Sequence, residues 1–151
     1  MLTPETATNW ASVEHGVRLV DFSSQVEECE AEHVLDTAVN SIWLTKEGLP
    51  QWLCFSLLDA SKLQELQIKT VGWHCWHAYT TNPKSVTLHV SSDGSKFRRW
   101  DTFTVEAASD QVQLFYCAPI SPKVYPYIAF EVTSTFGGDQ TYLNRIYLFT
   151  D

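Results

Sequence analysis

Five consecutive residues, Trp73-His74-Cys75-Trp76-His77, form the densest set of chemically capable side chains in this sequence. Two imidazoles and a thiol are donor types that zinc accepts. Side chains alternate along an extended strand, so His74 points away from Cys75 and His77, and the three converge only if the backbone bends. The plainer reading is an aromatic strand end that runs into a loop at 78–82. Exposed members of the stretch 73–79 then become contact candidates, because Trp and Tyr dominate binding hot spots. These are Trp73, His74, Trp76, His77 and Tyr79. Arg145, between Asn144 and Ile146, joins them as a cation able to reach a carboxylate ligand, and a structural ion pair accounts for it equally well.

Other charged sets read more simply. Lys96, Arg98, Arg99 and Trp100 make a small basic-aromatic patch, but within a net charge of −8 they read first as hairpin solvation. Glu27, Glu28, Glu30, Glu32 and Asp36 crowd one segment, which reads as a solvated loop. Asp36 by itself is a turn residue whose carboxylate accepts hydrogen bonds from backbone amides. No G-x-S-x-G elbow, phosphate-cradling glycine loop or H-E-x-x-H occurs, and no spacing of Ser, His and Asp picks out a triad. The expectation is a non-catalytic chain.

The elements that must hold these residues are strands. Hydrophobic residues make up 44% of the 151 and charged residues 19%, a globular composition. Six Trp, six Tyr and eight Phe favour pleated, half-buried surfaces. Leu53, Phe55 and Leu57 alternate with their neighbours, as do Leu66 and Ile68, Val86, Leu88 and Val90, then Ile128, Phe130 and Val132, and finally Ile146 and Leu148. Ser92-Asp93-Gly94-Ser95 is the strongest hairpin signal, suited to a tight two-residue turn. About eight short strands and one helical turn near 30–35 are predicted, in one domain over 1–151. Residues 1–14 read as a loose lead-in, with Trp10 able to tuck onto the body.

The acidity argues against nucleic acid and anionic membrane surfaces. The apolar runs are far short of the ~20 residues that span a bilayer. The opening MLTPETATNW lacks the pattern of a secretory signal, and Cys29, Cys54, Cys75 and Cys117 read as reduced thiols, so the expected setting is intracellular.

Three segments, in order, resemble the discoidin-like (galactose-binding-like) superfamily. The first is Val34-Leu35-Asp36 through Ser41-Ile42-Trp43, followed by Pro50-Gln51-Trp52-Leu53-Cys54-Phe55. The second is the strand from Asn82-Pro83 ending in Ser91-Ser92-Asp93-Gly94. The third is Tyr127-Ile128-Ala129-Phe130-Glu131-Val132, then Gly137-Gly138 and Tyr142-Leu143-Asn144-Arg145-Ile146-Tyr147-Leu148. The pattern is similar to that of the small calcium-binding jelly-roll subunit of intraflagellar transport and the DOC-homology subunit of the anaphase-promoting complex. It departs from secreted discoidin domains, which usually tie their ends with a disulfide.

The resemblance implies an all-β, antiparallel β-sandwich, an eight-stranded jelly roll. It also implies a calcium ion held by Asp36 and Ser41 with carbonyls of the turn between them, although Thr37 stands where glycine is common. The stretch 73–79 and the loop 135–142 would share the ligand-binding end. The leading functional expectation is a protein-interaction module with protein partners, a subunit or adaptor of a ciliary, centriolar or similar assembly, located in the cytoplasm, cilium or centrosome. The alternatives are a lectin-like glycan-binding module and a DOC-type substrate-recruiting module of a ubiquitin ligase. Neither nucleic acid nor membrane insertion is expected.

Overall fold

The computed structural model describes residues 2–36, 41–77, 79–106 and 111–151. Period-two alternation produces the long strands: β3 (Gln51–Ser56), β4 (Ile68–His74), β5 (Pro83–Ser91) and β8 (Tyr127–Thr135). Around them lie β1 (Arg18–Phe22), β6 (Arg98–Thr104), β7 (Gln113–Ile120) and β10 (Arg145–Phe149). Two short strands, β2 (Trp43–Leu44) and β9 (Tyr142–Leu143), pair as a separate ribbon. The main strands form a five-stranded sheet in the order β1-β3-β8-β5-β6 and a three-stranded sheet in the order β10-β4-β7. Every pairing is antiparallel.

The two sheets bury their inner faces against each other. Leu53, Phe55, Val86, Leu88, Ile128 and Phe130 come from one sheet, and Val71, Trp73, Ile146 and Leu148 from the other. Phe55 meets Phe130 edge-on at 5.7 Å between ring centroids, and Trp73 meets Phe103 in the same way at 5.7 Å. Such contacts add to the area term that drives burial. The helical turn predicted near 30–35 is a 3-10 helix, Ala31–Leu35, with Ala31, Val34 and Leu35 buried. No helix among the described residues is long and apolar enough to cross a membrane.

Three local readings are corrected. Leu66 is 39% exposed, because Leu63–Glu65 coils into a 3-10 turn and β4 starts only at Ile68. The Asp-Gly turn is longer than two residues. The hairpin loop runs from 92 to 97, and the Asp93 carboxylate accepts the Ser95 and Lys96 amides at 2.9 Å each, with Gly94 at φ +80°. Those bonds, the Lys96 amide foremost, hold the Asp93 carboxyl below its ordinary range. The lead-in is also tied down. Asn9 Oδ1 accepts the Leu148 amide at 3.0 Å, the Trp10 amide donates to Leu148 O, and Ala11 is fully buried.

Motif residues of the first resembling segment serve the scaffold. Trp43 is fully buried and donates from Nε1 to Ser24 O at 2.9 Å. The Gln51 side chain accepts from the hydroxyls of Ser23 and Ser24 and donates to the carbonyls of Lys46 and Gly48. This buried amide therefore pins the turn before β3 to the strand beside it.

Candidate functional site at the loop end

The stretch 73–79 divides at the end of β4. This strand is the middle one of its sheet, and its ladder continues to the last residue, with Arg145 opposite His74 and Gln113 opposite Trp73. Trp73 is therefore core, fully buried with its ring edge-on to Phe103. His74, on the other face of the strand, is 5% exposed and packs edge-on against Trp76. Neither can meet a ligand at the surface, so both are corrected from contact to scaffold. Cys75 is also buried, and burial pushes its thiol up to about 12. Among the described residues no group of three or more His, Cys, Asp or Glu gathers as a metal cluster would, and the zinc reading has no site to rest on.

Beyond β4 the chain turns outward. Trp76 is half-buried, His77 is exposed and Tyr79 is 50% exposed. Tyr79 stands edge-on to Tyr142 at 5.2 Å and 5.3 Å from the His77 ring, so its position is fixed although its face is open. These side chains line a cleft of about 430 Å³, completed by Ile42, Leu44, Thr81, Gln140 and Asn144. The volume lies within the range of small-molecule sites.

Two chain segments are tied together beside the cleft. The Gly138 amide donates to Thr80 O and the Tyr142 amide to Thr81 O, so the loop 136–141 lies against the loop after β4, as expected. Gly138 is required there, since a Cβ would lie 2.9 Å from the Thr81 backbone nitrogen. Asn144 is the central tie. Its amide donates to His74 O, its Oδ1 accepts the Trp76 amide at 2.7 Å, and its Nδ2 reaches Ser41 O at 3.4 Å. Tyr142 is nearly buried, and desolvation pushes its phenol up to about 12, so it stays a neutral hydroxyl.

Arg145 is not part of this cleft. Its guanidinium lies 5.2 Å over the Tyr147 ring, a cation–π contact on the outer face of β10. Asp36 and Ser41 do meet: the Ser41 hydroxyl donates to Asp36 Oδ2 at 2.9 Å. The turn between them, 37–40, falls outside the described residues. Gln140, Tyr142 and Asn144 were missed as site residues. Gln140 and Tyr142 lie within the loop 135–142 expected at the ligand-binding end, whereas Asn144 reads in sequence only as part of a closing strand, and the β2–β9 ribbon that carries Tyr142 to the cleft pairs residues about a hundred positions apart.

No family model and no curated protein sequence matches the chain. Solved structures do. A CBM32 carbohydrate-binding module from a family 31 glycoside hydrolase of Clostridium perfringens overlays with a TM-score of 0.77 at 12% identity, over 97% of this chain and 96% of that one. Another CBM32 module of C. perfringens, in complex with GalNAc-β-1,3-galactose, gives 0.71 at 19% identity, over 89% and 96%. The family 32 module of C. perfringens NanJ, in complex with galactose, gives 0.70 at 15% identity, over 88% and 93%. The fold is thus the discoidin-like, galactose-binding-like jelly roll. The same likenesses overturn the leading functional expectation. The three structures just named are carbohydrate-binding modules of C. perfringens, which points to glycan binding in place of a ciliary or centriolar assembly role.

Proposed function

We propose that the domain is a non-catalytic glycan-binding module whose ligand seats in the loop-end cleft. The observation that carries this reading is Tyr79, an open aromatic face held by Tyr142 and His77 beside the side-chain amide of Gln140. A pyranose offers such a site an apolar C–H face for the ring and hydroxyls for the polar rim, the mix of apolar wall and few polar groups typical of small-ligand sites. The sugars in the two complexed neighbours make galactose and GalNAc-β-1,3-galactose the first ligands to try. Calorimetric titration with both should show binding, and Tyr79→Ala should weaken it about ten-fold or more with an unchanged melting curve. Absence of binding to either sugar, or affinity indifferent to Tyr79→Ala, ends the reading.

Calcium at the Asp36–Ser41 turn belongs to the same proposal. A carboxylate and a hydroxyl already stand together there, and Asn144 ties Ser41 to the aromatic loop. Calcium wants about six to eight oxygens, and carbonyls of the turn would have to supply most of the rest. An ion that binds only the folded chain raises its melting temperature by linkage. Saturating calcium should do so in the wild type and not in Asp36→Ala. Identical wild-type curves in calcium and in chelator would leave Asp36 as a turn cap.

A further inference from the structure

The two main sheets end in four edge strands, β1, β6, β10 and β7, and a free edge presents unpaired N–H and C=O groups to any strand that can reach it. Three of the four carry a guard. β10 is covered by the lead-in: the Trp10 amide donates to Leu148 O, Asn9 Oδ1 accepts the Leu148 amide, and Asn9 Nδ2 reaches Ile146 O at 3.4 Å. β1 is irregular between Leu19 and Asp21 and carries the charges of Arg18 and Asp21. β6 skips Trp100 in its pairing with β5 and carries Arg98, Arg99 and Asp101. Charges and bulges of this kind keep strand edges from pairing with other chains.

β7 has neither guard over its first half. No Asp, Glu, Lys or Arg occurs from 111 to 122, in a chain of net charge −8. Its pairing with β4 is regular from Gln113 to Tyr116, opposite Trp73 to Thr70, and shifts only beyond. Outside that ladder, among the described residues, the backbone of 113–117 meets only the Cys117 thiol, which approaches Phe115 O at 3.5 Å. At the far end Ala118 O is taken by Trp100 Nε1 and Pro119 has no amide hydrogen, so the open part is 113–117. Alternation sends Phe115 inward, stacked on Phe103 at 4.0 Å, and leaves Leu114 and Tyr116 on the outer face. Tyr116 is 71% exposed, the most exposed large apolar side chain among the described residues.

We infer that β7 is an interface for a second copy of this chain, paired antiparallel across a two-fold axis so that the two three-stranded sheets become one. The occupant follows from charge. Two copies of net charge −8 repel one another over most of their surfaces and approach with least repulsion where no charge stands. A two-fold axis at Phe115 sets Leu114 opposite the partner's Tyr116, twice, an aliphatic–aromatic cross-strand pair. The paired part is short, about five residues a side, so association is weak and concentration-dependent. No β7 residue lines the loop-end cleft, and the inference stands or falls apart from the glycan reading. Sedimentation equilibrium of the whole chain from micromolar to millimolar concentration should show monomer and dimer in exchange, with amide hydrogen exchange at 113–117 slowing as the dimer forms. Tyr116→Lys should weaken dimerisation about ten-fold or more with an unchanged melting curve, and Leu114→Lys should do the same, whereas Tyr79→Ala leaves it unaltered. If Leu114→Lys lowers the melting temperature, Tyr116→Lys decides. A chain that stays monomeric at millimolar concentration overturns the inference, as does a dimer indifferent to Tyr116→Lys or one that leaves exchange at 113–117 unchanged. Slowed exchange there in a monomeric chain, on adding a synthetic peptide of sequence 111–119, assigns the edge to extended peptides and overturns it as well.

Discussion

Cys75 and Tyr142 meet at the back of the loop-end cleft, where the Cys75 thiol approaches Tyr142 O at 3.6 Å. Both are too buried to ionise near neutrality, and this has a consequence for stability. Desolvation raises the folded-state thiols of Cys75 and Cys117 to about 12, and that of Cys54 to about 11, from an ordinary 9.0. Below the unfolded value both states keep the proton and the thiols' contribution is whole. Above it only the unfolded chain ionises, so stability falls as pH rises from about 9 through the folded values. Thermal melts across that window should show the midpoint falling, and Cys75→Ala should flatten the slope. In the core, Phe130 is 1% exposed and touches both Phe55 and Trp73, so Phe130→Ala should cost about 3–5 kcal/mol in denaturant titrations. Tyr79 is the opposite case: it is 50% exposed, so Tyr79→Ala is expected to leave the melting curve unchanged.

At the scale of elements, the cleft depends on how two loops are clamped. The loop 136–141 presses on Thr80 and Thr81 through backbone hydrogen bonds, with Gly138 at the point of closest approach. Gly138→Ala puts a methyl group against the Thr81 backbone, so one loop must move. We expect a lower melting temperature together with weaker galactoside binding, although Gly138 does not line the cleft. Unchanged affinity would show that the cleft tolerates the shift. Strand β4 explains why so much of the aromatic stretch is unavailable. A central strand is paired on both sides, so its residues up to His74 belong to the ladder and its two faces. Trp100 also turns inward from the hairpin, donating from Nε1 to Ala118 O at 2.7 Å and so joining β6 to β7.

For the molecule as a whole, stability comes from one apolar layer between two sheets, with all four cysteines free. Denatured alkylation should therefore modify four thiols with or without prior reduction, as mass spectrometry would show. A gain after reduction would reveal a bridge that the sandwich does not need. The net charge of −8 is distributed unevenly. Asp21, Asp93 and Glu131 line a cleft on the outer face of the five-stranded sheet, while Trp76, Tyr79, Tyr142 and amides line the loop end.

The period-two runs, the Asp-Gly hairpin and the aromatic richness specify strands packed into a sandwich, because strand alternation is a local property that a single chain segment displays. Leu53, Phe55, Leu88, Ile128 and Phe130 were legible as core for the same reason. The site was only partly legible. Trp73 and Tyr79 are both aromatic and lie six positions apart, yet one is core and the other exposed, since where β4 stops depends on pairing with β7 and β10. Gln140, Tyr142 and Asn144 reached the cleft through contacts spanning 60 or more positions, such as Asn144 with Trp76. On the outer face of the five-stranded sheet, three strands in register set Cys54, Ala129 and His89 side by side. Local pattern determines which residues can be buried. Long-range pairing alone decides which of the remainder stand together.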